Sequence, residues 1–382
     1  MAVYLVVLLS LLNSISQRGS KVSVSLYALE LGAGSLAVGV LAALFAAFPL
    51  LLAVQAGRIS DRFGMRAPIF FGATTMALGL LTPLLGAGSY ATLVACASLV
   101  GLGHIFFHVS IHNLIGTLGG EAERTRNFAT FSLGSSIAAF IGPSAAGFGI
   151  ELAGYAPTFA LLAACAATPA LLVVAVRGIV PPGAPQEAHA EKRSAWDLLA
   201  NAPLRRTLIM SGVTLTGIEL FSFYLPIYGR SIGLSPSAIG MILSTYAVAG
   251  FLVRMFMHRL SQRFGEIGML TGSLFLAAAA YAVVPALNDG ALLAGAAFAL
   301  GLALGSAQPL TIILTYNPAP KGRSGEALGM RIMANKVTQI GMPLLFGGVG
   351  AALGSVPVFL ATGAFLLAGG VLSLLSSRRR ME

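Results

Sequence analysis

Long apolar runs, separated by short turn-forming stretches, repeat along the whole chain. A helix that crosses a bilayer needs about 20 largely apolar residues, and none of these runs shows the period-two alternation of a transmembrane β-strand. Glycine, proline and asparagine break the runs, as in 32–34 (GAG) and 288–290 (NDG). The pattern predicts an all-α membrane protein with twelve transmembrane helices, at 2–30, 36–57, 67–88, 90–118, 125–152, 156–177, 204–230, 235–258, 266–287, 289–317, 323–351 and 355–377.

The composition agrees with a membrane protein. Hydrophobic residues make up 57% of the 382 residues and charged residues only 9%. With this composition, a water-soluble fold of the same size would have too few polar side chains to cover its surface. Lipid is therefore the predicted solvent for most of the chain.

Basic residues predict the orientation. Most of the 23 Lys and Arg residues follow the even-numbered apolar runs or lie at the C-terminus, whereas the opposite loops contain Arg230 alone. Because loops rich in Lys and Arg stay on the cytoplasmic side, both termini are predicted to be cytoplasmic, in a bacterial-type inner membrane. Topology and anionic lipid head groups then account for the net charge of +10, without a nucleic acid partner.

One long polar stretch and one internal repeat divide the chain into two halves. The stretch 178–203 predicts a cytoplasmic linker between six-helix bundles at 1–177 and 204–382. Residues 57–64 (GRISDRFG) and 258–265 (HRLSQRFG) are identical at five of eight positions and follow the second span of each half. Two pseudo-symmetric bundles are the architecture expected of a secondary transporter, with a substrate site at the midplane between them.

The stretch after the second span resembles the signature loop of the major facilitator superfamily (MFS), in its twelve-span form. Its residues are Gly57, Arg58, Asp61, Arg62, Gly64 and Arg66. The resemblance implies that this loop is a gating motif, which closes the cytoplasmic side and opens during alternating access. A role in orientation and folding alone is the other reading.

Asp61 lies near a helix C-terminus, where the helix dipole opposes its charge, so it needs a partner. Arg124, Arg126 and the start of span eleven near Ser324 are the candidates.

A second resemblance concerns span five. Gly142 and Pro143, with three further glycines, are similar to the glycine-proline motif of MFS exporters; the further glycines are Gly134, Gly147 and Gly149. Small residues also serve close helix packing, which explains them equally well. The arginine that many family exporters carry in span four has no counterpart, since Ala97 precedes the Gly101-Leu102-Gly103 sequence.

Charged residues inside spans are costly, at about 2.5 to 3.5 kcal/mol each on insertion scales, and usually face a cavity. Five cations of this kind oppose one clear acid, Glu219; the cations are Arg18, Lys21, Arg254, Arg331 and Lys336. Such an excess of positive charge predicts a small anionic ligand, because guanidinium and ammonium groups bind carboxylate and phosphate. Other readings are that Glu219 pairs with a cation, Arg254 reaches the membrane surface, and Arg331 caps carbonyl groups.

Polar positions at helical spacing extend this prediction to a substrate site. Asn13, Gln17 and Lys21 share a face of span one, and Arg331, Asn335 and Gln339 form a stripe on span eleven. The predicted substrate-binding residues are Asn13, Gln17, Arg18, Lys21, His104, His108, Glu219, Arg331, Asn335, Lys336 and Gln339.

Three histidines in span four lie at successive i+4 steps: His104, His108 and His112. Imidazole titrates near neutral pH, so a proton relay is one reading, with structural hydrogen bonding equally open and metal binding a weaker alternative. Glu219, His104 and His108 are the predicted proton carriers. No metal or cofactor is expected.

The leading functional hypothesis is a secondary active transporter, coupled to H⁺, for a small organic anion or zwitterion. Efflux of amphipathic drugs is the alternative within the same class, and a receptor that senses ligand without transporting it is the alternative from another class. An enzyme is not predicted, because no nucleophile and base pattern and no phosphate-binding loop occurs. The chain is expected to act as a monomer.

Overall fold

The computed structural model describes residues 2–86, 89–118, 121–175, 200–316 and 324–378, and within these ranges it is all-helical. This confirms the predicted fold class. A short 3-10 helix (Val284–Ala286) and twelve α-helices form the described part of the chain; the α-helices are α1 (Ala2–Glu30), α2 (Ser35–Phe63), α3 (Arg66–Leu85), α4 (Tyr90–Thr117), α5 (Glu121–Ala153), α6 (Tyr155–Ala175), α7 (Ala202–Ser231), α8 (Pro236–Phe264), α9 (Glu266–Val283), α10 (Gly290–Tyr316), α11 (Ser324–Leu353) and α12 (Ser355–Arg378).

The observed helices differ from the predicted spans mainly at α2 and α8. Both continue past the apolar run, to Phe63 and Phe264, and include polar residues that were predicted to lie in loops. Apolar length reports the thickness of the hydrocarbon layer, whereas the backbone remains helical into the head-group region until a residue ends it. The eight-residue repeat is therefore the end of a helix and not a loop.

Glycines with positive φ end three pairs of equivalent helices. The pairs are Gly32 and Gly233, Gly64 and Gly265, and Gly154 and Gly354, separated by 201, 201 and 200 residues. Gly64 and Gly265 have φ values of 79° and 69°, which residues with a Cβ adopt at a cost. The identical Phe-Gly pair in the sequence repeat is thus a helix stop used once in each half.

Ten helices in the described part of the chain are long and apolar enough to cross a membrane. Only α1 and α11 are not among them, and these two carry Arg18, Lys21, Arg331 and Lys336. Many large apolar side chains point outward, such as Leu85, which is 86% exposed. Such a surface is stable in lipid and not in water, so the protein is an integral multi-pass membrane protein.

The helices group into two compact units. Unit 1 contains α1 to α6 with the first part of α8, through Ser244, and unit 2 contains α7, the rest of α8 and α9 to α12. Most of the linker predicted at 178–203 lies outside the described residues. The domain boundaries drawn there stay a prediction.

Unit 1 has closely packed backbones. A Cβ atom at Gly72 of α3 would lie 2.5 Å from the carbonyl oxygen of Gly103 in α4, so the two helices touch without side chains between them. A core of apolar residues continues along α3, α4 and α6, with Ile69, Phe107 and Val173 almost fully buried.

Unit 2 is held by an aromatic cluster between α7, α9 and α12. The ring of Phe359 lies 5.7 Å from that of Tyr224, 5.2 Å from that of Tyr228 and 6.1 Å from that of Tyr281. The hydroxyl of Tyr281 donates to the carbonyl of Gly217. Buried tyrosines of this kind supply apolar packing while their hydroxyls are satisfied by backbone oxygens.

Candidate functional site

Unit 2 joins the intramembrane acid to an intramembrane cation. The Nε2 of Gln339 donates to Oε1 of Glu219 at 3.0 Å, and Nζ of Lys336 donates to Oε1 of Gln339 at 2.9 Å. One glutamine amide therefore connects a carboxylate on α7 with an ammonium on α11. All three residues are half-buried.

A second hydrogen bond connects the same helices. The hydroxyl of Ser211 donates to Oδ1 of Asn335 at 3.0 Å. We call Ser211, Glu219, Asn335, Lys336 and Gln339 the α7–α11 network. It contains one acid and one base, so it has no net charge when both are ionised, and the ammonium of Lys336 is already part of a hydrogen-bonded chain.

Arg331 faces α10 rather than this network. Its Nη2 donates to Oε1 of Gln308 at 2.6 Å and to Oγ1 of Thr311 at 2.9 Å, and the residue is 5% exposed. Its Nε is buried and has no acceptor among the described residues. The structure thus separates Arg331 from Asn335 and Gln339, which contact α7, and direct substrate binding by Arg331 stays a prediction.

In unit 1, α1 has a buried side and an exposed side. Ser16 donates to the carbonyl of Leu162 in α6 at 2.7 Å and is buried, as are Ser20 and Ser23. Arg18 is exposed and Lys21 is half-buried. The two predicted cations of span one are thus less buried than these serines, and substrate contact by either stays a prediction.

Asn13 lies on the buried side and contacts α3 and α4. Its Nδ2 donates to Sδ of Met76 at 3.3 Å, and its Oδ1 is 3.4 Å from Nδ1 of His104. With 1% exposure, Asn13 is placed to orient His104. Gln17 is half-buried, and its backbone carbonyl accepts a bond from Ser20. Substrate contact by either residue stays a prediction.

The three histidines form a continuous row along α4. Ring centroids are 5.1 Å apart for His104 and His108 and 4.1 Å apart for His108 and His112, and the ring of His112 lies 4.8 Å from Phe131. Eight residues of helix cover about 12 Å. Within the described residues, no group of three or more His, Cys, Asp or Glu is placed to hold a metal ion.

The gating motif is described in part. The side chains of Arg58, Asp61 and Arg62 lie outside the described residues, so the contact of Asp61 stays a prediction. Gly64 ends α2, and Nη2 of Arg66 donates to the carbonyl of Val173 at 2.9 Å. Val173 is in the last turn of α6, where a cation is favoured by the unpaired carbonyls and the dipole.

The glycines of α5 are in close helix contacts. A Cβ atom at Gly142 would lie 3.0 Å from the carbonyl oxygen of Ile15 in α1, and one at Gly149 would lie 2.7 Å from Oγ1 of Thr158 in α6. Gly134 approaches Val7 in the same way, and Gly147 approaches Pro236 of α8 within unit 1. Packing therefore accounts for each glycine without a ligand.

Pro309 of α10 explains why Arg254 lies inside a span. Pro309 has no N–H, so the carbonyl of Gly305, four residues earlier in α10, lacks its helical donor. Nε of Arg254 donates to that carbonyl at 2.9 Å. Arg254 thus contacts α10 and does not simply extend to the membrane surface.

Four residues of these clusters were missed from the sequence: Ser211, Gln308, Thr311 and Met76. Ser211 lies two turns before Glu219 on α7, and this spacing was the one available signal. Gln308 and Met76 meet Arg331 and Asn13 only through packing between helices.

Comparisons with known proteins agree with this architecture. The sequence model described as Major Facilitator Superfamily matches residues 6–231 and 207–381. No curated protein sequence matched the chain significantly.

Three solved structures with high similarity are transporters. A POT family transporter in complex with 5-aminolevulinic acid has a TM-score of 0.82 and 15% identity, over 100% of this chain and 96% of that chain. The nucleoside transporter NupG, in a mutant form, has a TM-score of 0.84 and 13% identity, over 98% and 99%. The peptide transporter POT in complex with sulfate has a TM-score of 0.79 and 17% identity, over 99% and 94%.

These structures show the fold, and the sequence match covers nearly the whole chain, as the motif at Gly57–Arg66 and the repeat at 258–265 predicted. The family and the fold are those of transporters. The chain belongs to the major facilitator superfamily.

Proposed function

We propose that the protein is a secondary active transporter of a small organic anion or zwitterion, coupled to protons and working by alternating access. The observation that carries the proposal is the hydrogen-bonded chain from Glu219 through Gln339 to Lys336. It links a group that can take up a proton to a group that can bind an anion, inside a segment where charges are costly.

The coupling follows from electrostatics. An anion that approaches Lys336 is repelled by an ionised Glu219, and in a site of low dielectric constant this repulsion is several-fold stronger than in water. Protonation of Glu219 removes the repulsion, so that the ligand can approach and pair with the ammonium of Lys336. By linkage, anion binding favours proton binding to the same degree, so the two move together.

The cations of α1 support an anionic or zwitterionic substrate. Arg18 is exposed and Lys21 half-buried, and each adds an insertion cost that a ligand carboxylate offsets. The similar POT family structures contain 5-aminolevulinic acid and sulfate, a zwitterion and an anion. Ligands of this class fit the charges of this chain better than the cationic dyes carried by many drug exporters.

The histidine row supports proton coupling in unit 1. The ring of His108 contacts those of His104 and His112, and Asn13 orients the ring of His104. Neutral imidazole accepts a proton at one nitrogen while it releases one from the other, so a row in contact can pass protons along α4.

The distribution of Lys and Arg supports a cytoplasmic position for both termini and a bacterial-type inner membrane as the location of the protein. We also propose that the protein acts as a monomer.

The test begins with a thermal-shift screen of purified protein against small carboxylates and zwitterions, starting with 5-aminolevulinic acid, beside a panel of cationic dyes. Uptake of the best ligand is then measured in proteoliposomes with an imposed proton gradient. We expect the gradient to drive accumulation by the wild type. Glu219→Gln should lose gradient-driven accumulation and keep exchange of labelled for unlabelled ligand.

The matched control is Glu151→Gln, which removes an exposed acid at the end of α5 and should transport normally. Accumulation that ignores the proton gradient, or full coupling in Glu219→Gln, would refute the proposal. Stabilisation by the dyes and by none of the acids would instead favour drug efflux.

A further inference from the structure

An apolar groove lies on unit 2, along α8, α9 and α10. Its volume is about 920 Å³, within the range of sites that bind ligands. Apolar side chains form its walls, and none of the α7–α11 network lines it; the wall residues include Leu252, Val253, Phe256, Leu276, Leu302 and Ala303. The groove is therefore a feature separate from the proposed transport site.

Two glycines of α9 keep the groove open. Gly268 and Gly272 are one turn apart and exposed. A Cβ atom at Gly272 would meet nothing within 4 Å, and one at Gly268 would come no closer than 4.0 Å to Phe264. By contrast, a Cβ at Gly301 in α10 would lie 2.7 Å from that of Ala249. The α9 glycines thus leave space for a bound molecule and do not bring helices together.

Two arginines line one end of the groove. Arg259 and Arg263 are one turn apart at the end of α8, and both are exposed. Neither guanidinium has a hydrogen bond or ion pair within the described residues, and that of Arg263 lies 5.4 Å from the ring centroid of Phe264. Like charges at this spacing repel each other, so an anion between them is stabilising.

The remaining polar groups of the groove are satisfied. The hydroxyls of Ser273 and Ser306 are 3.1 Å apart and bond each other. The groove therefore has apolar walls and two positive charges at one end, and its serine hydroxyls already have hydrogen-bond partners. A soluble metabolite would leave most of its polar surface without partners there.

We propose that this groove binds an anionic phospholipid, with an acyl chain over Gly268 and Gly272 and the phosphate between Arg259 and Arg263. The shape and charge match a molecule with one long apolar part and one anionic head. The arginines belong to the basic face that topology assigns to the cytoplasm, where anionic lipids attract Lys and Arg by about 1 kcal/mol per residue.

The first experiment measures lipid retention by native mass spectrometry. Protein is extracted from vesicles of phosphatidylcholine and phosphatidylglycerol, and bound lipids are counted. We expect the wild type to retain phosphatidylglycerol in preference to phosphatidylcholine. Arg259→Gln/Arg263→Gln should weaken phosphatidylglycerol binding roughly 25-fold. The control Arg205→Gln/Arg206→Gln removes two basic residues outside the groove and should bind as the wild type does.

The second experiment fills the groove. Gly272→Leu should reduce retention of phosphatidylglycerol with both arginines in place, whereas Gly295→Leu, at an exposed α10 glycine that also has open space, should not. Thermal unfolding in detergent checks that each variant is folded, and the arginine variant decides alone if Gly272→Leu does not fold. Equal retention of the two lipids by the wild type, or undiminished phosphatidylglycerol in the arginine variant, overturns the proposal.

Discussion

Helices α1 and α7 occupy equivalent places in the two halves, yet they carry opposite charges there. Arg18 and Glu219 are 201 residues apart, the same separation as Gly32 and Gly233 at the ends of the two helices. Arg18 is exposed, whereas Glu219 is half-buried and accepts a hydrogen bond from Gln339. Equivalent positions of the two halves thus carry a cation in one half and an acid in the other.

The opposing helices differ in the same way. Pro143 of α5 and Pro343 of α11 are 200 residues apart, which pairs Gly142 with Met342 and Ala139 with Gln339. In unit 1 the small residues let α1 and α5 touch through their backbones. In unit 2 longer side chains occupy the gap and form the α7–α11 network. Close helix packing and polar side chains thus compete for the same space between the two helices.

The largest expected effect is that of removing the amide between acid and base. Gln339→Leu takes a donor from Glu219 and an acceptor from Lys336, two bonds to charged groups. We expect the activation free energy of proton-driven uptake to rise by about 3 kcal/mol, which lowers kcat/KM roughly a hundredfold. The control is Thr338→Val, beside it on α11; among the described residues the Thr338 hydroxyl bonds only the carbonyl of Ala334. Unchanged uptake in Gln339→Leu would show that the network is structural.

A smaller effect is expected from neutralising the cation of unit 1. Arg18→Gln should weaken binding of an organic acid by about 2 kcal/mol, roughly thirtyfold in KM, since the exposed guanidinium is partly screened by solvent. Arg230→Gln, at the end of α7, serves as the matched control. If both variants bind the acid equally well, Arg18 does not contact the substrate.

The packing difference predicts a stability effect. Gly142→Ala should destabilise the protein by between about 1 and 2 kcal/mol, because the new methyl group meets Ile15 and Arg18 at 3.0 and 2.9 Å. Gly341→Ala of α11 has no atom within 4 Å and should be neutral or slightly stabilising. Thermal unfolding in detergent measures both variants, and equal behaviour would mean that the two contacts are alike.

The smallest expected effect is that of changing the glycine that ends the second helix of each half. Gly64→Ala and Gly265→Ala place a Cβ on a residue with positive φ, and each should cost about 1 kcal/mol. Because the same helix stop is used twice, we expect similar decreases in unfolding temperature for both variants. Gly295→Ala, at an exposed glycine inside α10 with no atom within 4 Å of the new methyl group, is the control and should not lower that temperature. A large difference between the first two would show that the stops are not equivalent.

The sequence predicted contacts within one helix well. His104, His108 and His112 were expected to share a stripe from their spacing, and their rings are in contact. The prediction that Arg331 and Gln339 share one polar stripe on α11 was wrong. Each step of four residues turns the helix by about 40° beyond a full turn, so two steps amount to about 80°. That rotation directs Arg331 to α10 and Gln339 to α7.

The sequence by itself determined the twelve helices, the division into two related halves and the presence of charges at membrane depth, because hydrophobic length and internal repetition can be recognised from neighbouring residues. Only the tertiary structure decided which charges meet a partner. Gln308 with Arg331, Met76 with Asn13 and Gly305 with Arg254 are joined across helices that no local pattern brings together. Whether an intramembrane charge is accessible or satisfied depends on the packing of neighbouring helices, since lipid offers it no hydrogen-bonding partner.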